Sequence, residues 1–128
     1  MAVILVVDDN VQFKGLMFDF LLMQGHKVLN ADNGREGIKK AKEAKPDLIL
    51  MDVMMPDIGG LEALRELSAD EETRDIPVFI ITGSAFDGKM GALFKEQSNC
   101  REFLDKTVQL AVLDEKINAA LEGRGPGK

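Results

Sequence analysis

The sequence has few of the residues that would cross-link it or build a cysteine-based metal site. It contains one cysteine, Cys100, and one histidine, His26, in 128 residues. A single cysteine cannot form an internal disulfide, and neither residue has a cysteine or histidine partner at the spacing of a zinc site. We therefore expect both residues to be structural. We also expect a reducing compartment, the cytoplasm.

Positive charge and long apolar segments are also scarce. The formal net charge is −6 and the isoelectric point is about 4.8, which argues against direct binding of nucleic acid, because that requires basic patches. The N-terminal apolar run ends at Val7 and has no basic segment before it. No stretch reaches the roughly 20 apolar residues that span a bilayer. We expect no membrane segment.

What is present is an alternation of short apolar runs with segments of helical period. This alternation predicts one α/β domain, a parallel sheet covered by helices on both faces, and 45% hydrophobic residues can supply its core. The predicted strands are Val3–Val7, Lys27–Ala31, Leu48–Met51, Pro77–Thr82 and Arg101–Asp105. The predicted helices are Asn10–Gln24, Asn33–Ala44, Leu61–Leu67, Lys89–Gln97 and Val108–Leu121. We expect a domain over residues 1–122 and a disordered tail over residues 123–128.

Five chemically active residues each stand at or just after the end of a predicted strand: Asp8, Asp9, Asp52, Thr82 and Lys106. The carboxyl ends of parallel strands lie at one edge of a sheet, so these side chains would meet there. The clustered carboxylates would repel one another without a cation, and hard oxygen ligands suit Mg²⁺. Taken alone, the acidic pair is explained equally well as a helix N-terminus. The whole set supplies what phosphoryl transfer requires.

Four ordered segments resemble the receiver domain of bacterial two-component response regulators. They are Val6–Asn10, Pro46–Leu61, Ile80–Gly83 and Phe103–Lys106, and the resemblance runs from about residue 2 to about residue 122. It implies a doubly wound, flavodoxin-like sheet of five parallel strands in the order 2-1-3-4-5. It also implies a signalling protein that catalyses only its own phosphorylation and dephosphorylation and is not otherwise an enzyme.

The resemblance assigns a role to each residue of the set. Asp52 would accept a phosphoryl group from a sensor histidine kinase or a histidine phosphotransfer protein. Asp9 would bind Mg²⁺ directly and Asp8 through water, with Asp52 and the backbone carbonyl of Met54 completing the protein ligands. Lys106 would pair with the phosphoryl group.

The resemblance also implies a switch and a docking surface. Thr82 would move toward the phosphoryl oxygen and Phe103 would change rotamer with it, which alters the surface of the fourth helix, fifth strand and fifth helix for an unknown downstream protein. Val11, Phe18 and Leu22 lie off the inward face of the first helix by helical spacing and would dock the kinase. Additional packing within the domain explains these three residues about equally well.

The sequence departs from the family pattern near the switch. Thr107 stands where a proline with a cis bond is usual, and a cis bond before a non-proline residue costs about 2.5 to 4 kcal/mol. Either the fold carries that cost or the bond is trans. Gly83 replaces a small non-glycine residue, which loosens the turn after Thr82, and the interval from Thr82 to Lys106 is slightly long. These departures affect the switch geometry more than phosphorylation.

Other functions remain open at this point. Gly83–Lys89 matches seven positions of a nucleotide-binding P-loop, but Met90 stands where Ser or Thr would hold Mg²⁺ and Asp87 would put a negative charge in the phosphate cradle. A haloacid dehalogenase-like phosphatase would need an acid/base aspartate at the position of Met54. A degenerate receiver-like interaction module, or a phosphate sink without phospho-dependent output, is a third possibility. The chain is expected to be a stand-alone receiver or part of a longer regulator.

Overall fold

The structure is a computed structural model that describes residues 2–83 and 88–124, and it contains five strands and five helices in alternation. The strands are β1 Val3–Val7, β2 Lys27–Ala31, β3 Leu48–Met51, β4 Val78–Thr82 and β5 Cys100–Asp105. The helices are α1 Val11–Met23, α2 Gly34–Ala44, α3 Gly60–Ala69, α4 Gly88–Lys95 and α5 Leu110–Arg124. All strand pairs are parallel, in the order β2-β1-β3-β4-β5. The predicted fold class and strand order are confirmed.

Several helix bounds differ from the prediction. α3 continues to Ala69 instead of Leu67, and the Ser68 hydroxyl donates a hydrogen bond of 3.0 Å to the Arg65 carbonyl within it. α4 covers residues 88–95, where residues 89–97 were predicted. α5 runs from residue 110 to residue 124, two residues into the segment predicted as a tail. Residues 125–128 lie outside the described residues.

Two apolar layers enclose the sheet. α1 and α5 bury Met17, Leu21, Leu113 and Ile117 against one face, and α2, α3 and α4 bury residues such as Ile38, Leu64 and Phe94 against the other. Successive strand residues belong to opposite layers because side chains alternate along a strand. On the inward face of α1, Met17 and Leu21 are fully buried, while Phe13 and Phe20 are partly buried at the edge of the layer.

Local capping fixes the ends of α1. Asn10 is the N-cap, and its side chain accepts a hydrogen bond of 2.8 Å from the Phe13 N–H. At the other end, Gly25 has a φ of 90°, the left-handed conformation that ends helices at glycine. Within the described ranges, no helix is both long and apolar enough to cross a membrane.

Candidate functional site

The register of β1 and β3 places two of the predicted carboxylates side by side. Val7 pairs with Met51 at the ends of these strands, so Asp8 and Asp52 occupy equivalent positions just beyond them. The Asp52 N–H donates to the Val7 carbonyl at 3.0 Å, which continues the sheet hydrogen bonding past the strand end. The backbone pairing of β1 and β3 therefore places the Cα atoms of Asp8 and Asp52 side by side.

The neighbouring pair of strands, β4 and β5, places Thr82 and Lys106 at the same edge. Thr82 pairs with Asp105 in the β4–β5 register, and the Lys106 N–H donates to the Thr82 carbonyl at 2.9 Å. The carboxylates, the hydroxyl and the amine thus leave the sheet at its carboxyl edge, as the sequence predicts.

The acidic residues form one compact group. Asp8, Asp9 and Asp52 each offer a carboxylate oxygen within 4.8 Å of the other two. Asp8 and Asp52 are buried and Asp9 is exposed. Lys106 Nζ lies 2.9 Å from Asp8 Oδ2 and 3.7 Å from Asp52 Oδ2. When all four groups are ionised, three carboxylates and one ammonium leave a formal charge of −2, which a divalent cation would neutralise.

Asp8 has a buried oxygen that suits metal binding. Its Oδ1 accepts a hydrogen bond of 2.8 Å from the Asn10 N–H. Its Oδ2 is buried and has no hydrogen-bond partner of good geometry, although Lys106 provides a charge nearby. A buried carboxylate oxygen without a directed donor is costly. The residues therefore fit a hard cation that takes oxygen ligands.

Asp52 lies in an environment that opposes its charge. Burial raises the pKa of the Asp52 carboxyl above its usual value, and the nearby Asp8 carboxylate raises it further. Lys106, the Val53 N–H and the Thr82 side chain act in the opposite direction, and the N–H donates to Asp52 Oδ1 at 2.8 Å. A cation bound at the acidic group would favour the ionised carboxylate, which is the form that can act as a nucleophile.

Lys106 is held by a contact that the sequence does not reveal. Its Nζ lies 4.5 Å from the ring centroid of Phe13, a cation–π geometry. The two side chains also line a cleft of about 90 Å³ between α1 and the start of α5, together with Leu16, Val108 and Leu110. Helical spacing predicts only that Phe13 faces inward. The contact depends on how α1 crosses the sheet.

The predicted switch residues, Thr82 and Phe103, lie on the α4 side of the sheet. Thr82 is 1% exposed and hydrogen-bonds to the Asp52 carboxylate through its side chain. Phe103 pairs with Ile80 in register and packs on Phe94 of α4, with ring centroids 5.1 Å apart. Phe94 is buried, and the sequence analysis did not single it out. An aromatic contact thus connects β5 to α4 two strand positions before Asp105.

The turn after β5 replaces the usual proline with hydrogen bonds. The Lys106–Thr107 peptide bond is trans. The Thr107 N–H and hydroxyl both donate to Asp105 Oδ1, at 2.8 and 2.7 Å. These donors lower the pKa of Asp105. Proline has no N–H, so this turn uses an interaction that the usual residue lacks, and it delays the start of α5 from the predicted Val108 to Leu110.

Gly60 was missed as a site residue. A Cβ atom at this position would lie 2.5 Å from the Asp52 carbonyl oxygen and 2.9 Å from Val53 Cα. The Gly60 N–H donates to the Val53 carbonyl at 2.8 Å. The first residue of α3 therefore packs directly on the backbone of the candidate acceptor, and only glycine fits. A pair of glycines in a sequence indicates a loop, and this signal does not reveal the contact with Asp52.

The candidate docking residues are exposed on α1. Val11 is 78% exposed and Leu22 52%, so packing within the described part of the domain does not account for these two, whereas Phe18, at 38%, is partly covered. Leu16 and Met23 are exposed on the same helix and were not predicted. Met54 is also exposed. Of the P-loop-like segment, residues 84–87 lie outside the described residues.

A family model for the response regulator receiver domain matches residues 4–118 of the chain. This chain is a response regulator receiver domain. The chain is 39% identical over 123 residues to PilH of Pseudomonas aeruginosa, a match that covers 96% of this chain and all of PilH. It is 32% identical over 118 residues to the polar-differentiation response regulator DivK of Brucella anthropi, covering 92% of this chain and 94% of DivK. Membership of this family confirms the resemblance and places the chain in two-component signalling.

Solved receiver structures have the same fold. One is the receiver domain of a Pseudomonas aeruginosa sensor histidine kinase with a magnesium ion coordinated in its active-site cleft. It superposes with a TM-score of 0.85 at 26% identity, covering 94% of this receiver and 98% of that chain. Proteins of this family act in signalling, not as conventional enzymes. The Asp8–Asp9–Asp52 group of this receiver could hold a metal ion.

Proposed function

We propose that this receiver accepts a phosphoryl group on Asp52 in the presence of Mg²⁺, from a histidine kinase or histidine phosphotransfer protein, in the cytoplasm. The observation that carries the proposal is the convergence on one buried carboxylate of a hydroxyl, an amine and two further carboxylates. Asp52 lies beside Lys106 Nζ at 3.7 Å, and it accepts a hydrogen bond from Thr82.

In the proposed reaction an oxygen of Asp52 attacks the phosphorus of a phosphohistidine in line. The new oxygen–phosphorus bond forms as the nitrogen–phosphorus bond breaks, and the electron pair of that bond stays on the imidazole nitrogen. Lys106 and the Thr82 hydroxyl stabilise negative charge on the transferring oxygens. The hydrogen bond from the Val53 N–H to Asp52 Oδ1 holds the carboxylate in orientation.

Asp8, Asp9, Asp52 and the Met54 carbonyl would hold the Mg²⁺ ion. When bound, the ion supplies neutralisation of the phosphoryl charge. Two features support this assignment: Asp8 Oδ2 is buried without a hydrogen-bond donor of good geometry, and the three carboxylates exceed the positive charge beside them. The related receiver that coordinates magnesium in its active-site cleft supports it as well.

Output would follow from new charge at Asp52. A phosphoryl group adds about −1.5 to −2 charge, which draws Lys106 and Thr82 toward it. Because Thr82 and Phe103 lie on the same side of the sheet and Phe103 contacts Phe94, the movement would reach α4, β5 and α5 and alter binding of a downstream protein. Because Phe103 has no hydroxyl, its inward rotamer leaves no polar group buried without a partner. The inactive and active states of the receiver would therefore be close in energy.

The exposed face of α1 is proposed as the kinase-docking surface. Val11, Phe18 and Leu22 follow one another at helical spacing, with Gly15 between them and nothing within 4 Å of a Cβ built on it. Such a face suits an apolar helix of a partner.

Transfer profiling tests the proposal. Purified histidine kinases are labelled with phosphate and mixed with this receiver and with Asp52→Ala, with and without chelator. Rapid transfer from one or a few kinases to the unaltered receiver only, and only with Mg²⁺, is the expected result. If every kinase fails to transfer while kinases transfer to their own receivers, the chain is a degenerate interaction module instead.

A further inference from the structure

The segment that follows Asp52, residues 53–59, is fastened to a helix it does not belong to. Asp57 Oδ1 accepts a hydrogen bond of 2.9 Å from the Gly34 N–H, and Oδ2 accepts one of 2.8 Å from the Arg35 N–H. These N–H groups open α2 and have no partner within the helix. One carboxylate therefore binds the start of α2 through both oxygens.

Packing beside this contact leaves no room for a Cβ atom at position 34. A Cβ at Gly34 would lie 2.6 Å from Ile58 Cγ1 and 3.1 Å from the Ile58 carbonyl oxygen. Ile58 is buried in the apolar layer under α2 and α3. The Asp57–Ile58 pair thus rests directly on the first turn of α2, where a glycine permits the close approach.

The two ends of the segment are held in different ways. Gly60 packs on the Asp52 and Val53 backbone at one end, within 3 Å of where a Cβ would stand. Asp57 and Ile58 hold the other end on α2. Met54, whose carbonyl is the proposed backbone ligand to Mg²⁺, lies between these two points.

Asp57 is not the N-cap residue of α2, although it adds acceptors for the first turn of that helix. The Asn33 side chain is the N-cap and accepts the Glu36 N–H at 2.8 Å, and Glu36 Oε1 accepts the Asp32 N–H at 2.8 Å just before the helix. Asp57 accepts hydrogen bonds from the Gly34 and Arg35 N–H groups, to which these two side chains do not bond. Burial raises the pKa of Asp57, but the N–H donors of Arg35, Ile58 and Gly34 outweigh it and the net pKa is lowered. The residue is therefore ionised at neutral pH.

We infer that Asp57 is a positioning residue for the metal-binding segment: by tying residues 53–59 to the start of α2, it holds the Met54 carbonyl in place and sets the affinity for Mg²⁺. This inference rests on the proposed function of the Asp8–Asp9–Asp52 group. It differs from helix capping because Asn33 caps the same helix and does not touch the segment.

The matched pair Asp57→Ala and Asn33→Ala separates the two roles. Both remove a side-chain acceptor from the first turn of α2, so both should lower Tm by similar amounts. MgCl₂ is titrated while backbone amide NMR signals are followed, which suits a chain with no Trp or Tyr as a fluorescent reporter. Asp57→Ala should weaken Mg²⁺ binding by about tenfold, the loss typical of groups that orient a metal ligand. Asn33→Ala should leave the Mg²⁺ affinity unchanged.

Two further measurements complete the test. Asp57→Asn keeps one acceptor oxygen and should recover part of the affinity, and this variant is informative if Asp57→Ala does not fold. Amide hydrogen exchange should rise over residues 53–59 in Asp57→Ala and not in Asn33→Ala. If all variants bind Mg²⁺ as the unaltered receiver does, the inference is overturned and the proposed function stands. If the unaltered receiver binds no Mg²⁺, both are overturned.

Discussion

The face of the sheet under α1 and α5 and the face under α2, α3 and α4 bury similar apolar side chains but present different groups to Asp52. On the first, Lys106 sits between Asp8 and the Phe13 ring. On the second, Thr82 hydrogen-bonds to the acceptor and Phe103 packs on α4. In the proposed reaction, the first face would supply positive charge, and the second would supply the side chains that respond.

The solvent-facing surfaces of the helices also differ between the two faces. α1 exposes large apolar residues such as Val11 and Leu22, whereas the outer face of α2 is polar, with Lys40 paired to Glu36 at 3.2 Å. An apolar outer face costs solubility and is kept where a partner covers it. Under the proposed function, donor binding and chemistry would share one side of this receiver, while the response and the support of the segment after Asp52 would lie on the other.

The largest effect is expected from removing charge on the reaction face. Lys106→Met should slow phosphorylation of Asp52 by acetyl phosphate by about tenfold or more, because a charged donor to the phosphoryl oxygens is lost. Phe103→Leu, on the response face, should leave this rate unchanged. The rates are measured by intact mass over time. Equal slowing by both substitutions would remove the distinction between the faces.

Docking on α1 gives the next effect. Phe18→Ser should slow transfer from the cognate kinase by about tenfold, since loss of a buried aromatic contact at an interface costs on the order of 1.4 kcal/mol or more. Lys39→Ser, on the exposed face of α2, is the matched control and should have no effect. Neither substitution should change labelling by acetyl phosphate. Slowing with both donors would indicate a folding defect instead of a docking defect.

Binding of beryllofluoride, a phosphoryl mimic, should change the dynamics of the face that carries α4 and Phe103. Amide hydrogen exchange should slow in α4 and β5, because Thr82 and Phe103 become held in one arrangement. Exchange in α2 should stay as it was. If α4 and β5 show no change while the mimic binds, the receiver is a phosphate sink without this output.

The smallest effect concerns the stability of the fold, which depends on the ionisation of Asp52 at the sheet edge between the two faces. The folded state raises the pKa of Asp52, so it binds the proton more tightly than the unfolded chain, and stability falls as pH rises through the range between the two pKa values. Asp52→Asn removes this cost and should raise Tm by a few degrees at neutral pH. The gain should vanish at a pH low enough to protonate Asp52 in both states. Thermal unfolding by circular dichroism across pH checks this, and a gain that persists in acid would contradict it.

The acceptor edge was predictable from sequence because contiguous apolar runs determine where buried strands end. Leu48–Met51 contains no polar residue, so Asp52 could only follow it at the edge of the sheet. Asp8 follows Val3–Val7 in the same way. Parallel pairing then brings these ends together without further information.

Contacts between elements distant in sequence were not predictable. The Phe13 ring beside Lys106, the Asp57 carboxylate on α2 and the fit of Gly60 against Asp52 each depend on the angle and distance at which two elements pack. Glycine within a helix is unfavourable by about 1 kcal/mol, so Gly34 and Gly60 in first turns were a usable signal of close approach. Nothing in the sequence indicated which backbone approaches them.

The central claim is that Asp52 takes the phosphoryl group in a reaction that requires Mg²⁺. Its most direct measurement is the intact mass of the receiver after incubation with acetyl phosphate, with Mg²⁺ and with chelator, beside Asp52→Ala treated identically. The account predicts an added mass of one phosphoryl group in the unaltered receiver with Mg²⁺ alone, and none in Asp52→Ala. An adduct that forms in chelator, or one that persists in Asp52→Ala, would contradict it.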